Sequence, residues 1–105
     1  MGHLMDVVKG IREDLEKEGL KGLLEPYGEP FEVRATISSM GHICEGQLLI
    51  AFGGPNVWVI SDGKTVRVEG YWGSDSYTET LEDEKVAKEI LEYVKDVFKD
   101  VVIDP

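Results

Sequence analysis

Residues 57–69 read VWVISDGKTVRVE, and this stretch decides the predicted fold. On either side of its centre, aliphatic residues alternate with polar or bulky ones, which is the period of a β-strand. The two halves meet at Asp62-Gly63, a dipeptide that suits a two-residue hairpin turn because both central positions take a positive φ. The stretch therefore predicts two antiparallel strands joined by a tight turn.

A two-residue turn also predicts which residues lie opposite each other. It pairs Ser61 with Lys64, and hence Val59 with Val66 and Trp58 with Arg67. The alternation then separates two faces of the sheet. We call one the helix face, which carries Val57, Val59, Val66 and Val68. We call the other the open face, which carries Trp58, Ile60, Arg67 and Glu69.

Two further runs with the period of a strand precede this hairpin, at residues 31–38 and 48–52, separated by a loop that contains Gly41, His42 and Gly46. In the first run the apolar alternation is formed by Phe31, Val33, Ala35 and Ile37. By the parity of the second run, the residues assigned to the helix face are Leu48, Ile50 and Phe52. The residues assigned to the open face are Leu49 and Ala51.

Apolar residues at helical spacing lie before and after the strands. The stripe of the first helix is Leu4, Val8, Ile11 and Leu15, with Leu20, Leu23 and Leu24 as a last turn that Pro26 ends. The stripe of the last helix is Val86, Ala87, Ile90, Leu91, Val94, Val97, Phe98 and Val101. Residues 73–80 are predicted as a polar loop, in which Thr80 and Asp83 have the spacing of a capping box.

The order helix, four strands, helix predicts an α+β two-layer sandwich. The sheet is an antiparallel meander in the order 1-2-3-4, and both helices cover one of its faces. A chain of 105 residues is expected to form a single domain over residues 1–105, with residues 1–3 a candidate cloning remnant ahead of Met5. The order of elements resembles that of double-stranded-RNA-binding domains and frataxin-like proteins, but no motif supports either function.

Composition excludes several classes of function. There are 21 acidic against 11 basic residues, a formal net charge of −10, and nucleic-acid binders need a basic surface instead. With no apolar run of about 20 residues and no signal peptide, we expect neither a membrane protein nor a secreted one. A single cysteine suits the reducing cytoplasm, and the near absence of Asn and Gln beside abundant Glu and Lys is typical of thermophiles.

The open face is the most informative feature of the sequence. A solvated face should be polar throughout, yet the centre of this one carries Leu49, Trp58 and Ile60, with Arg67 and Tyr71 at its rim. An apolar centre within a polar rim is the anatomy of a contact surface, and Trp, Tyr and Arg are frequent in binding hot spots. We therefore predict a non-enzymatic module that forms a homodimer or binds a protein partner through these five residues. The alternative is that loops or a terminus of the same chain cover this face.

A competing hypothesis is a small ligand-binding protein or enzyme with its site near His42, Cys44 and Tyr77. A thiolate nucleophile needs a base or cation nearby, and His42 lies two residues from Cys44. The same spacing assigns Cys44 to the helix face, however, where a free cysteine is an ordinary buried residue. We expect no cofactor and no metal site, because His42 and Cys44 are the only credible nitrogen or sulfur ligands and structural zinc needs about four. No residue pattern points to a catalytic site.

Overall fold

The computed structural model describes residues 2–99. Its helices are α1 (Gly2–Glu18), α2 (Lys21–Tyr27) and α3 (Glu84–Val97). Its strands are β1 (Glu32–Ile37), β2 (Ile43–Ala51), β3 (Asn56–Ser61), β4 (Val66–Trp72) and β5 (Asp75–Leu81). They form one antiparallel sheet in the order β1-β2-β3-β4-β5. None of these helices is long and apolar enough to cross a membrane.

The helices pack on a single face of the sheet, as the sequence predicts. α1 lies over β4 and β5, α3 lies over β1 to β3, and α2 joins α1 to β2. The stripe of α1 is buried, with Val8, Ile11 and Leu15 fully inaccessible, and it meets the four valines of the helix face in one core. The predicted α+β architecture is therefore confirmed.

The sheet has one strand more than the four predicted, because residues 75–81 form β5 instead of a loop. Gly73, with a φ of +63°, and Ser74 make a two-residue turn, so that Trp72 pairs with Asp75. Tyr77 and Leu81 pack toward the core, while the other side of the strand is polar. Because this strand lies at the sheet edge, it needs few apolar residues to keep its place.

The helix ends also differ from the prediction. Gly19, at a φ of +70°, ends α1, and the leucines that follow start the separate helix α2. Asp83 alone caps α3 by accepting a hydrogen bond from the Val86 amide at 3.2 Å, since Thr80 belongs to β5. Val97 is 45% exposed and not part of the buried stripe, and Val101 lies outside the described residues.

The β3–β4 turn is longer than predicted, which shifts the register by two residues. Ser61 pairs with Val66, so the turn holds four residues. The Asp62 carboxylate accepts hydrogen bonds from the amides of Lys64 and Thr65, both at 2.8 Å, and these bonds close the wider turn. They also hold the pKa of Asp62 below its ordinary value. Because a shift of two preserves parity, the residues of β3 and β4 keep their predicted faces.

Strand β2 departs from the prediction in length and in parity. It begins at Ile43, so Gly46 lies within the strand and not in a loop. An irregularity at Ile50 interrupts the pairing with β3, and Ala51 therefore lies opposite Val57 on the helix face instead of the open face. Phe52 follows the strand and is 70% exposed, so it does not belong to the helix face either.

Two glycines on the helix face allow the helices to lie close to the sheet. A methyl group at Gly46 would be 2.6 Å from Val94 Cγ2 of α3, and one at Gly70 would be 2.5 Å from Val8 Cγ2 of α1. Contacts that short require the helix to move away. Each helix is thus seated over a strand position that has no side chain.

Gly46→Ala and Gly70→Ala should each lower the free energy of unfolding by about 1–3 kcal/mol, the usual cost of overpacking a well-packed core. The measurement is urea denaturation followed by tryptophan fluorescence. Gly10→Ala is the matched control, because Gly10 lies inside α1 and an added methyl group there has no atom within 4 Å apart from its chain neighbours and the backbone of its own helix. Its stability should rise by up to about 1 kcal/mol through helix propensity. Wild-type stability of both test variants would contradict the close seating of the helices.

Candidate functional site

The open face carries two straight rows of side chains that cross all five strands. We call the first row the arginine ladder, which consists of Arg34, Gln47, Ile60, Arg67 and Thr80. We call the second row the glutamate ladder, which consists of Glu32, Leu49, Trp58, Glu69 and Thr78. Within each ladder, every residue is the direct cross-strand partner of the next. The two ladders are therefore adjacent and differ in the sign of their charged residues.

The apolar centre of this face is partly covered by its neighbours. Leu49 is only 6% exposed and Ile60 9%, while Trp58 is half-buried. The guanidinium of Arg34 lies over the Trp58 ring, 4.9 Å from its centroid, which is a cation–π contact. The predicted pairing of Trp58 with Arg67 is wrong, because the shifted register places Glu69 opposite Trp58.

Ion pairs hold the charged side chains of the open face in place. Arg67 Nε lies 3.0 Å from a Glu69 carboxylate oxygen, and its guanidinium is 3.9 Å from Glu45. Arg34 pairs with Glu32 in the same way. The Tyr71 hydroxyl donates a 2.9 Å hydrogen bond to the second Glu69 oxygen. These contacts connect the charged side chains and the tyrosine of the rim to one another.

The five predicted contact residues all lie on this face, but they contribute differently. Leu49 and Ile60 form its nearly closed floor. Trp58, Arg67 and Tyr71 supply the accessible surface, with Tyr71 43% exposed. They line or flank a shallow depression bounded by Arg34, Gln47, Trp58, Ile60, Glu69 and Tyr71. The role of these residues in binding stays a prediction.

Arg34 and Glu69 make central contacts on the open face, and neither was predicted as a contact residue from the sequence. Both belong to the open face by parity, so the alternation of β1 and β4 carried the signal. What the sequence lacked was the register, because a pairing shifted by two residues moves Arg67 away from Trp58 and puts Glu69 in its place.

The residues of the competing hypothesis are not brought together. His42 and Cys44 lie at the start of β2, whereas Tyr77 lies near the start of β5, at the opposite corner of the sheet. Cys44 is exposed and not buried as predicted. It is the extra residue of a bulge against β1, because Ile43 pairs with Ile37 and Glu45 with Thr36. Its thiol contacts the Thr36 carbonyl oxygen at 3.4 Å.

A second exposed feature lies at one end of the sheet. Phe31 and Phe52 are 66% and 70% exposed, and their ring centroids are 6.3 Å apart. Phe52 also borders a shallow depression with Tyr71 and Trp72. Trp72, 46% exposed, packs edge-on against His3. This aromatic end is continuous with the open face through Tyr71.

Within residues 2–99, no group of three or more His, Cys, Asp or Glu side chains is placed to hold a metal ion. The acidic residues of the open face are instead paired with arginines.

The hydrogen bond to Glu69 raises the pKa of the Tyr71 phenol above its ordinary value of 10.0, with smaller effects of burial and of the Glu69 charge. A raised pKa favours the neutral phenol in the folded state, so its stabilisation is present below about pH 10 and is lost as the pH rises through the folded pKa. Glu69→Ala should return the pKa of Tyr71 toward 10. The measurement is NMR titration of carbon-13-labelled tyrosine rings, with Tyr93 as the internal control. An ordinary Tyr71 pKa in the wild type would contradict the hydrogen bond.

No protein-family model, no characterised protein and no solved structure matches the chain. A role for the open face is therefore proposed from its own residues.

Proposed function

We propose that this protein is a non-enzymatic interaction module that associates with a second copy of itself through the open face. The observation that carries the proposal is the open face itself. The three helices of residues 2–99 leave it uncovered, and it presents a half-buried tryptophan within a rim of mutually paired arginine, glutamate and tyrosine side chains. Such a combination is typical of binding hot spots.

The charge distribution supports association through this face. Two arginines and three glutamates, the last being Glu32, Glu45 and Glu69, give it a net charge of −1, in a chain of net charge −10. The other nine negative charges of the net total are therefore carried by residues outside the open face. Two copies repel each other least when they meet by the open face, because like charges at close range oppose association.

The choice of arginine over lysine on this face also supports association through it. Of three arginines in the chain, Arg34 and Arg67 lie on the open face, whereas all eight lysines lie elsewhere in the sequence, in helices, in the β3–β4 turn or after α3. Protein interfaces are enriched in arginine and depleted in lysine. Arginine loses less hydration on burial and stacks on aromatic rings, as Arg34 does on Trp58.

No observation favours the competing hypothesis of an enzyme or ligand-binding site. Its three residues lie at opposite corners of the sheet, and the exposed Cys44 has no base or cation within hydrogen-bond distance among its described contacts. If the wild type is monomeric in solution, a different protein and not a second copy is the candidate occupant of the open face.

Trp58→Glu should abolish self-association, because it places a charge at the centre of the contact. Sedimentation velocity of the wild type should give twice the chain mass of 11.7 kDa, and the variant should sediment at 11.7 kDa. Trp72→Glu is the matched control and should remain dimeric, since Trp72 lies at the sheet end and not on the open face.

Circular dichroism verifies that each variant is folded. If Trp58→Glu fails to fold, Thr80→Glu gives a second test and should weaken self-association, because Thr80 is exposed at the end of the arginine ladder and each copy then adds a carboxylate to the contact. A wild type that remains at 11.7 kDa at millimolar concentration would overturn self-association.

A further inference from the structure

Resting on the proposed self-association, we infer the symmetry of the dimer. We propose that two copies pack face to face about a two-fold axis that runs parallel to the ladders, midway between the arginine ladder and the glutamate ladder. The two ladders carry opposite charges on the same strands, with Arg34 and Glu32 on β1 and Arg67 and Glu69 on β4.

A two-fold axis between two facing sheets lies parallel to both of them, and the same patch of each copy must complement itself. Rotation about an axis along the ladders keeps every strand over its own counterpart and exchanges the two rows. The arginine ladder of one copy then lies over the glutamate ladder of the other. Each strand then runs roughly antiparallel to its counterpart in the other sheet, with the crossing angle of about 30° that sheet twist imposes.

This exchange places opposite charges against each other. Because β1 of one copy lies over β1 of the other, Arg34 faces the partner's Glu32. In the same way, β4 lies over the partner's β4, and Arg67 faces the partner's Glu69. At the centre, Ile60 lies over the partner's Trp58 on β3. The outer positions on β5 bring Thr80 over the partner's Thr78. Apolar residues therefore meet at the centre, and complementary charges meet on both sides of it.

Other axes lack this complementarity. An axis that runs along one ladder sets Arg67 over the partner's Arg67 or Glu69 over the partner's Glu69, and like charges placed opposite each other at an interface oppose association. An axis along the strands sets β1 over the partner's β5. It places Arg67 over the partner's Gln47 and Glu69 over the partner's Leu49, so neither charge meets its opposite.

The existing ion pairs make the proposed contact possible. Arg67 already lies against Glu69, and Arg34 against Glu32, within one chain. No charge is therefore left unpaired when water is excluded, which is the condition under which a buried pair is tolerated. In the dimer, each arginine–glutamate pair lies against the same pair of the partner, so that two arginines and two glutamates form one network.

Mixing two charge-reversed variants tests this axis. Arg67→Glu should self-associate at least about tenfold more weakly than the wild type, because its new carboxylate faces the partner's Glu69. Glu69→Arg should be weakened similarly, because its new guanidinium faces the partner's Arg67. An equimolar mixture should form heterodimers near wild-type affinity, since each facing position then holds opposite charges. Fluorescence anisotropy of one labelled variant, titrated with the other, measures the affinity.

The matched control is a mixture of Arg34→Glu with Glu69→Arg. These positions lie on β1 and β4, which do not face each other about the proposed axis, so the mixture should show no rescue. A wild-type dimer that Trp58→Glu dissociates, but without rescue in the first mixture, would overturn the axis and leave the open face as the contact. A monomeric wild type would overturn self-association itself.

Discussion

The close seating of α1 and α3 on one face of the sheet is the constraint on which the rest of the structure depends. Gly46 and Gly70 leave room for Val94 and Val8 to approach the backbone of β2 and β4. Ser61 strengthens this seating, because its buried hydroxyl donates to the Ala87 carbonyl of α3 at 2.6 Å and accepts from the Gly63 amide at 3.1 Å. With all helices drawn to this side, the other side of the sheet stays free of them.

The free side is organised by its own side chains. Strand pairing aligns two ladders of opposite charge, and cation–π and ion-pair contacts fix their long side chains over Leu49 and Ile60. Individual surface ion pairs contribute little to stability, at most about 1 kcal/mol each. Their consequence for the proposed self-association is that side chains already held by contacts lose less conformational entropy when a second copy binds.

Much of this arrangement could be predicted from the sequence. Alternation in residues 57–69 assigned Trp58 and Ile60 to the open face and the valines to the core, and the helical stripe from Leu4 to Leu15 placed α1. These predictions succeeded because buried positions recur with the period of the helix or strand and are occupied by apolar residues. The edge strand β5 shows only a weak apolar pattern, because its outward side is polar and a strand with one neighbour needs little apolar surface.

Features that depend on local irregularities of the backbone could not be predicted from the sequence. The Asp62 carboxylate closed a four-residue turn where Asp62-Gly63 favoured two, so the partner of Trp58 was misassigned. The bulge at Cys44 and the irregularity at Ile50 reversed parity for one residue each, which exposed the thiol and moved Ala51 to the helix face. No periodic pattern encodes a single inserted residue. The face of a residue was thus predictable within regularly paired stretches, whereas its cross-strand partner was not.

The solvent accessibility of the two tryptophan side chains tests most directly whether a second copy covers the open face. A soluble paramagnetic agent broadens the NMR signals of groups that solvent reaches. Coverage predicts that the Trp58 indole signal is shielded at high protein concentration and broadens on dilution, while the Trp72 signal is broadened throughout. Equal broadening of both signals at every concentration would contradict it.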